Sequence, residues 1–453
     1  MSIIILLIAA SAFLYALVKY PQAIAFLYFT ITLADMNIDV AGASMRALVA
    51  VMLMLRTMIP EKGDNYPPII ATRVNAIFVF IAYTTVVTIA YDLASMQFVK
   101  ITGQVIIAAY CGYHYFMKNG DYRLLKYALI TASLICIGDL VHTYAVFSKF
   151  PVQRMYHYLL GIPQEVDENG DFIEKINHNF YGQVCAMCFV FILHEFTIGR
   201  EKLRTILILL PLLFLGVLMS TSRSSLLGLI GISLFLIGLL FRSKNGAQMA
   251  MKLTMIGLGS LTLAIMMFIF AQEVLDIRSA FAEQITMRLI DEPVAVFQKQ
   301  LGMNYNAQSL DAMDWREEAS ADAFNAYLRL KPIEQLFGIG YWGFVIRDLG
   351  HTQLPPHNGF LLLLIETGLV GFIAYMSLIL SLIAKSIKTI KGGEPTVTVV
   401  IFILIYCIGQ NGELTSGSTF LFVVSIIGEL LYREAQLKYQ RKQARLTPKL
   451  SKA

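Results

Sequence analysis

Long apolar runs separated by short polar connections dominate the chain, and residues 205–241 carry no charge except Arg223. A membrane-spanning helix needs about 20 mostly apolar residues. By that measure candidate spans lie at roughly 2–18, 22–35, 43–59, 72–91, 101–117, 124–147, 179–198, 204–221, 223–241, 252–272, 357–384, 395–410 and 417–432. The pattern predicts an all-α polytopic membrane protein of about 12–14 transmembrane helices, with a large, partly helical outer loop before the C-terminal spans. The opening run has no Lys or Arg before it and no evident A-x-A cleavage site, so it reads as a retained first helix or signal anchor.

Composition narrows the class further. Of the 453 residues, 57% are hydrophobic and 15% are charged, against roughly 25% charged in a soluble domain. That excludes a soluble enzyme, a disordered chain and a secreted disulfide scaffold. The five cysteines all fall in or at the edges of spans. Cys185-x-x-Cys188 lies inside an apolar helix and reads as packing, not as a redox or metal pair.

Charge placement sets the expected topology. Five connections are basic: Lys118/Arg123/Lys126, Arg200/Lys202/Arg204, Arg242/Lys244/Lys252, Lys385/Lys388/Lys391, and the tail from Arg433 to Lys452. They alternate with the spans and so are expected on the cytoplasmic side. The organisation that follows is 1–150 N-terminal transmembrane helices, 151–178 an outer loop, and 179–272 central transmembrane helices. Then come 273–356 as the large outer loop, 357–432 as C-terminal transmembrane helices, and 433–453 as a basic cytoplasmic tail. The large loop holds 12 acidic and 7 basic residues, a net of −5, and the rest of the chain sums to +10. The overall +5 is therefore a topology signal, and no nucleic-acid partner is expected.

Within 205–241, a single helix would extend roughly 56 Å, nearly twice the hydrocarbon thickness. The run must fold back, and the natural break is Ser220-Thr221-Ser222-Arg223-Ser224-Ser225. Hydroxyl side chains favour helix caps, so the second helix starts there with unpaired N–H groups and a positive dipole end. A guanidinium beside such an end suits a phosphate-like anion. The competing reading is an interfacial arginine reaching for lipid headgroups. An arginine on the outer side without neighbouring lysines runs against positive-inside statistics and favours the functional role.

The large outer loop ends in Pro355-Pro356-His357-Asn358, followed by an apolar run from Gly359. Two prolines halt whatever precedes them, and a long helix is expected from about His357. Its imidazole stands at the outer rim of a span, placed either to cap the interface or to act as a general base near neutral pH. Glu366 lies roughly 13 Å deeper and about 180° around the same helix. A carboxylate at that depth must be paired or functional, and a supporting role is expected for it. Gly368 and Gly371 read as close-packing positions. Upstream, apolar residues at near-helical spacing predict an amphipathic helix over about 309–331, ended by Pro332. Arg316 lies on it among Glu317, Glu318 and Asp322, where a local salt bridge is the ordinary expectation. Gly338-Ile339-Gly340 reads as a turn. Asp139 and His142, three residues apart, read as a packed polar contact.

Three groups of residues thus stand in order: Thr221-Ser222-Arg223-Ser224; Trp315-Arg316 with Pro332 and Phe337-Gly338-Ile339-Gly340; and His357-Asn358 with Glu366-Thr367-Gly368-x-x-Gly371. This arrangement, over about residues 178–384, resembles the O-antigen ligase and polymerase superfamily of bacterial membrane glycosyltransferases. The resemblance implies a helix bundle in the bacterial inner membrane, with a large periplasmic loop over an outward-facing active site and a cytoplasmic C-terminus. It implies a glycan donor linked to undecaprenyl diphosphate, a glycan or lipid A core acceptor, surrounding membrane lipids, and no cofactor. It further implies that Arg223 and Arg316 face the diphosphate and that His357 activates the acceptor hydroxyl. Asn358, Glu366 and Ser222 are expected in support, with Asn179 in His178-Asn179-Phe180-Tyr181-Gly182 resembling an asparagine at the start of the corresponding helix. Trp315 precedes the arginine, whereas the family more often places tryptophan after it, which leaves Arg278, Arg288 and Arg329 as substitutes.

The residue types agree with that chemistry. Diphosphate is already a competent leaving group, so two arginines and a helix N-terminus suffice to stabilise it without a metal. Asp167-Glu168-Asn169-Gly170-Asp171 departs from calcium-loop spacing, and no metal site is expected. Ligase and polymerase differ only in the acceptor, with the ligase reading slightly favoured. A lipid-linked glycan transporter is the alternative from another class, but the chain shows no internal repeat of the kind transporters carry.

Overall fold

A computed structural model describes residues 19–34, 39–40, 43–58, 74–91, 96–119, 122–146, 178–241, 246–275, 291–303, 311–341, 343–347, 349, 356–389, 394–410, 414 and 416–450. The first expected span at 2–18, the acidic stretch Asp167–Asp171, and Arg278 and Arg288 lie outside the described residues. The architecture is all-α. Its helices are α1 Pro21–Leu33, α2 Met45–Met58, α3 Val74–Ala90, α4 Met96–Asn119, α5 Arg123–Val146, α6 His178–Thr197, α7 Leu203–Met219, α8 Arg223–Leu240 and α9 Gly246–Leu275. The segment expected as the large outer loop contributes α10 Glu292–Gln300, α11 Asp311–Arg329, α12 Pro332–Phe337 and α13 Gly343–Ile346. The chain then returns through α14 Gly359–Thr389, α15 Pro395–Tyr406 and α16 Gly417–Leu450. A two-residue antiparallel ladder pairs Asp39 with Ser44 and Val40 with Ala43.

Among the described residues, four segments are long and apolar enough to cross a bilayer on their own: Arg123–Val141, Asn179–Thr197, Arg223–Leu240 and Gly359–Lys388. Shorter apolar helices pack among them. Helix α6 is the axis of the bundle, because 83% of its apolar window is buried, against 33% for α8 and α14. It packs on α5, α7, α8 and α15. A helix apolar on all sides is stable only when surrounded. The peripheral helices instead show an apolar outer stripe: Leu227, Ile230 and Leu234 on α8, and Met251, Met255 and Leu258 on α9, are all exposed. In water such stripes would be a liability, and in a bilayer they face acyl chains. Cys185 and Cys188 are buried free thiols within α6, as packing requires.

Ion pairs gather the basic connections at one end of the bundle. Lys126 reaches Glu201 at 2.5 Å and Glu195 at 2.5 Å. Arg200 pairs with Glu394 at 2.7 Å, and Arg433 bonds the same carboxylate at 2.5 Å. Lys385 pairs with Glu434. Four of the five basic segments read from the sequence are therefore tied together, through groups from α5, the α6–α7 connection, α14, the start of α15 and α16.

The described residues of the segment expected outside the membrane pack together. Ala323, Ala326, Leu330, Ile339 and Phe344 form a small core with Ile365 of α14. Helix α11 matches the expected amphipathic helix and ends just before Pro332. Buried Glu334 accepts from the backbone N–H of Lys331 at 3.0 Å and from Arg347 at 3.2 Å. Arg347 also lies over the ring of Tyr91, 5.1 Å from its centroid, a contact worth about 0.5–1 kcal/mol at an exposed position.

Candidate active site

The serine-rich break forms as the apolar pattern requires. Helix α7 ends at Met219, and Ser222 caps α8. Ser222 Oγ accepts from the Ser225 N–H at 3.4 Å and lies 2.8 Å from Ser225 Oγ. Ser220 Oγ accepts from the Ser222 N–H at 3.3 Å and donates to the Val217 carbonyl at 2.7 Å. Between them Thr221 holds φ +51°, a conformation that costs a β-branched residue about 1–2 kcal/mol. Such strain persists only where surrounding contacts impose it. Here they do: Gly182 of α6 lies so close that a Cβ on it would approach Ser222 Cβ to 2.8 Å. The turn is buried from Ser220 to Ser222, and half-buried Arg223 is the first helical residue beyond it.

His357 stands between buried Pro356 and the start of α14, half-buried, with Nδ1 shielded from solvent. The helix starts at Gly359, two residues later than expected, because Asn358 acts as its cap. Asn358 Oδ1 accepts from the Phe360 N–H at 3.0 Å and the Leu361 N–H at 3.1 Å. The histidine is thereby held on a short turn outside the helix. Its neighbour Gly359 donates its N–H to the Cys407 carbonyl at 2.8 Å.

That last bond reveals a hub which sequence reasoning missed. Residues 406–410, at the end of α15, receive three separate parts of the site. Tyr406 donates its hydroxyl to the Asn179 carbonyl at 3.3 Å. The Cys407 carbonyl takes the Gly359 N–H, and the Gly409 carbonyl accepts Ser224 Oγ at 3.4 Å. Asn179, the Ser222-Arg223 cap and His357-Asn358 are thus brought to one end of the bundle, opposite the ion-paired basic end. The signal in the sequence was only a glycine and a glutamine, Gly409-Gln410, closing an apolar span.

Glu366 belongs to a second arrangement. Helix α14 is broken at Gly368, which holds φ +65° and ψ +179°. The break leaves carbonyls of the preceding turn without their helical donors. Residues 338–340 supply replacements: the Ile339 N–H donates to the Ile365 carbonyl at 3.2 Å and the Gly340 N–H to the Glu366 carbonyl at 3.0 Å. The stretch expected as a turn is thus a clamp across a broken membrane helix. Tyr83 adds to it, its hydroxyl 2.7 Å from both the Phe337 and Thr367 carbonyls. The Tyr341 N–H donates to Thr88 Oγ1 at 2.9 Å. Non-helical backbone at this depth is tolerated because it is buried in protein. Gly371, expected at a close approach, does pack against Tyr83.

Of the loop arginines, Arg316 falls on α11, but its side chain lies outside the described residues. Arg329 is exposed in the last turn of the same helix. The side chain of His142 likewise lies outside the described residues, while buried Asp139 accepts from Tyr181 at 3.5 Å.

Residues 208–376 match the family model of O-antigen ligase. The match covers more than a third of the chain and runs from α7 through the break in α14, so it includes Ser222, Arg223, Arg316, His357, Asn358 and Glu366 but not Asn179. No curated protein matches the chain. Over residues 208–376 the chain is therefore similar to the O-antigen ligase family of membrane proteins.

Proposed function

We propose that this chain transfers a glycan from undecaprenyl diphosphate to an acceptor hydroxyl at the periplasmic face of a bacterial inner membrane, with its C-terminus in the cytoplasm. The observation that carries this reading is that the turns bearing Arg223 and His357, both inside the segment similar to O-antigen ligases, converge through Ser224 and Gly359 on residues 406–410. In the reaction the acceptor oxygen attacks the anomeric carbon and its proton passes to His357. The bond from that carbon to the phosphate oxygen breaks, and its electron pair leaves on undecaprenyl diphosphate. One displacement inverts the anomeric configuration.

Arg223 and a loop arginine, Arg316 first among them, neutralise the charge that grows on the departing diphosphate. Losing one such preorganised donor costs about 10²–10³ in turnover. Cations can perform this stabilisation themselves, so the reaction is proposed to be metal-independent. Asn358 positions His357 through its cap, and the Ser222 cap fixes where Arg223 begins. The acceptor is proposed to be a lipid A core or similar surface glycan, as for a ligase; a polymerase would differ only in accepting another lipid-linked repeat.

Envelope glycans from cells carrying Arg223→Ala or His357→Ala test the reading. Joined glycan is expected to disappear while the lipid-linked donor accumulates. Normal joined glycan in both variants would overturn it.

A further inference from the structure

Beside Glu366 lies a partly enclosed cavity of about 40 Å³. Such a space holds about three waters, at 10–15 Å³ each on this measure. It is lined by the middle of α3, the N-terminal parts of α4, α14 and α16, and Tyr341, and its polar edge consists of Glu366, Thr84, Thr102 and Thr367. The rest of the lining is largely apolar, with Phe80, Phe98 and Phe420 in it. Glu366 is 7% exposed.

The polar edge is rich in acceptors. Thr84 donates its proton to the Ile81 carbonyl at 2.9 Å, and Thr367 donates to the Leu363 carbonyl at 2.7 Å. Both hydroxyls are left presenting lone pairs beside a carboxylate. An occupant must therefore donate hydrogen bonds on one side and offer carbon to aromatic rings on the other. A sugar substituent such as an acetamido or hydroxymethyl group has that chemistry and that size. Phe80, Thr84, Phe98 and Thr102 lie outside the segment matching O-antigen ligases.

We propose that this cavity is a glycan subsite: it seats one donor-bearing substituent of the sugar chain and contributes to the choice of glycan. The proposal rests on the transferase reading, and a purified full-length protein tests the two separately. All five native cysteines are buried, so Thr102→Cys supplies an addressable thiol. The probe is the host's own surface oligosaccharide, released from lipid by mild acid and therefore free of diphosphate. It is expected to slow alkylation of Thr102→Cys at least severalfold, whereas inorganic diphosphate leaves the rate unchanged.

In transfer assays, Thr102→Leu is expected to raise KM for the glycan by about tenfold, the loss of one hydrogen bond to a polar or charged group, with kcat kept. Thr102→Ser is expected to behave as wild type. Unprotected alkylation, or an unchanged KM in Thr102→Leu, overturns the subsite. Arg223→Ala assayed in parallel separates the two ideas. If it is inactive while Thr102→Leu is normal, only the subsite fails; if it is fully active, the role given to Arg223 fails; and if the wild-type protein shows no transfer, the transferase reading fails, whatever the alkylation shows.

Discussion

Gly338 and Gly368 face each other across the broken helix: a Cβ on Gly338 would lie 2.6 Å from the Gly368 nitrogen, and one on Gly368 would lie 2.5 Å from the Leu336 carbonyl oxygen. Both hold positive φ, +83° and +65°. The folded outer segment is therefore locked to the membrane bundle by backbone against backbone, which leaves no room for a side chain.

Gly368→Ala is expected to break this lock. The left-handed backbone alone costs about 1–2 kcal/mol for a residue with a Cβ, and the clash adds to it. Thermal unfolding in detergent should fall by several degrees and glycan transfer should be lost. Gly238→Ala is the control: its Cβ would meet nothing within 4 Å, and an alanine in a helix interior is favoured by about 1 kcal/mol.

The Asn358 cap separates positioning from fold. Asn358→Ala removes the acceptor of two helix N–H groups, a loss of about 1 kcal/mol. It frees the turn that carries His357, so kcat should fall much more than KM changes. Asn358→Asp keeps an acceptor in the same place and should retain most of the turnover. Equal kcat in the two variants would remove Asn358 from the positioning role.

At the basic end, fully buried Glu394 is held by Arg200 and Arg433, and Tyr122 donates from the same cluster to Glu195 at 3.0 Å. Glu394→Ala leaves the Arg200 and Arg433 guanidinium groups, each about a third exposed, without this carboxylate, so the loss should fall below the roughly 3–5 kcal/mol of a fully buried pair. A measurable drop in melting temperature is expected. Lys385→Ala, whose pair with Glu434 is about a third exposed, should change stability by less than about 1 kcal/mol.

Topology follows from the same two ends. Arg329→Cys, exposed on the outer segment, should react with an impermeant thiol reagent added to intact spheroplasts. Lys202→Cys, exposed at the basic end, should react only after permeabilisation. The reverse pattern would invert the assigned orientation.

The sequence made some of this legible and hid the rest for physical reasons. The Ser220–Ser225 break could be read because a run twice the membrane thickness has to fold back, and hydroxyls mark the fold. Helix α11 could be read from its apolar stripe. The break at Gly368 could not, because the apolar pattern continues through it and the lost helical bonds are replaced by residues 338–340, a distant segment. Gly338-Ile339-Gly340 looked like a turn because glycine announces unusual backbone without naming its partner. The hub at 406–410 depends on contacts to Asn179, Ser224 and Gly359, separated by up to about 230 positions, and no local pattern encodes them.

The most direct test of the account reconstitutes the full-length protein in liposomes with an undecaprenyl diphosphate-linked glycan and a surface-glycan acceptor, in the presence of EDTA. Release of undecaprenyl diphosphate is measured together with glycan joining. Wild type is predicted to turn over under these conditions. His357→Ala and Arg223→Ala, folded to the same melting temperature, are predicted to be at least about 10²-fold slower. Wild-type turnover in either variant, or complete loss of wild-type activity with EDTA, would contradict it.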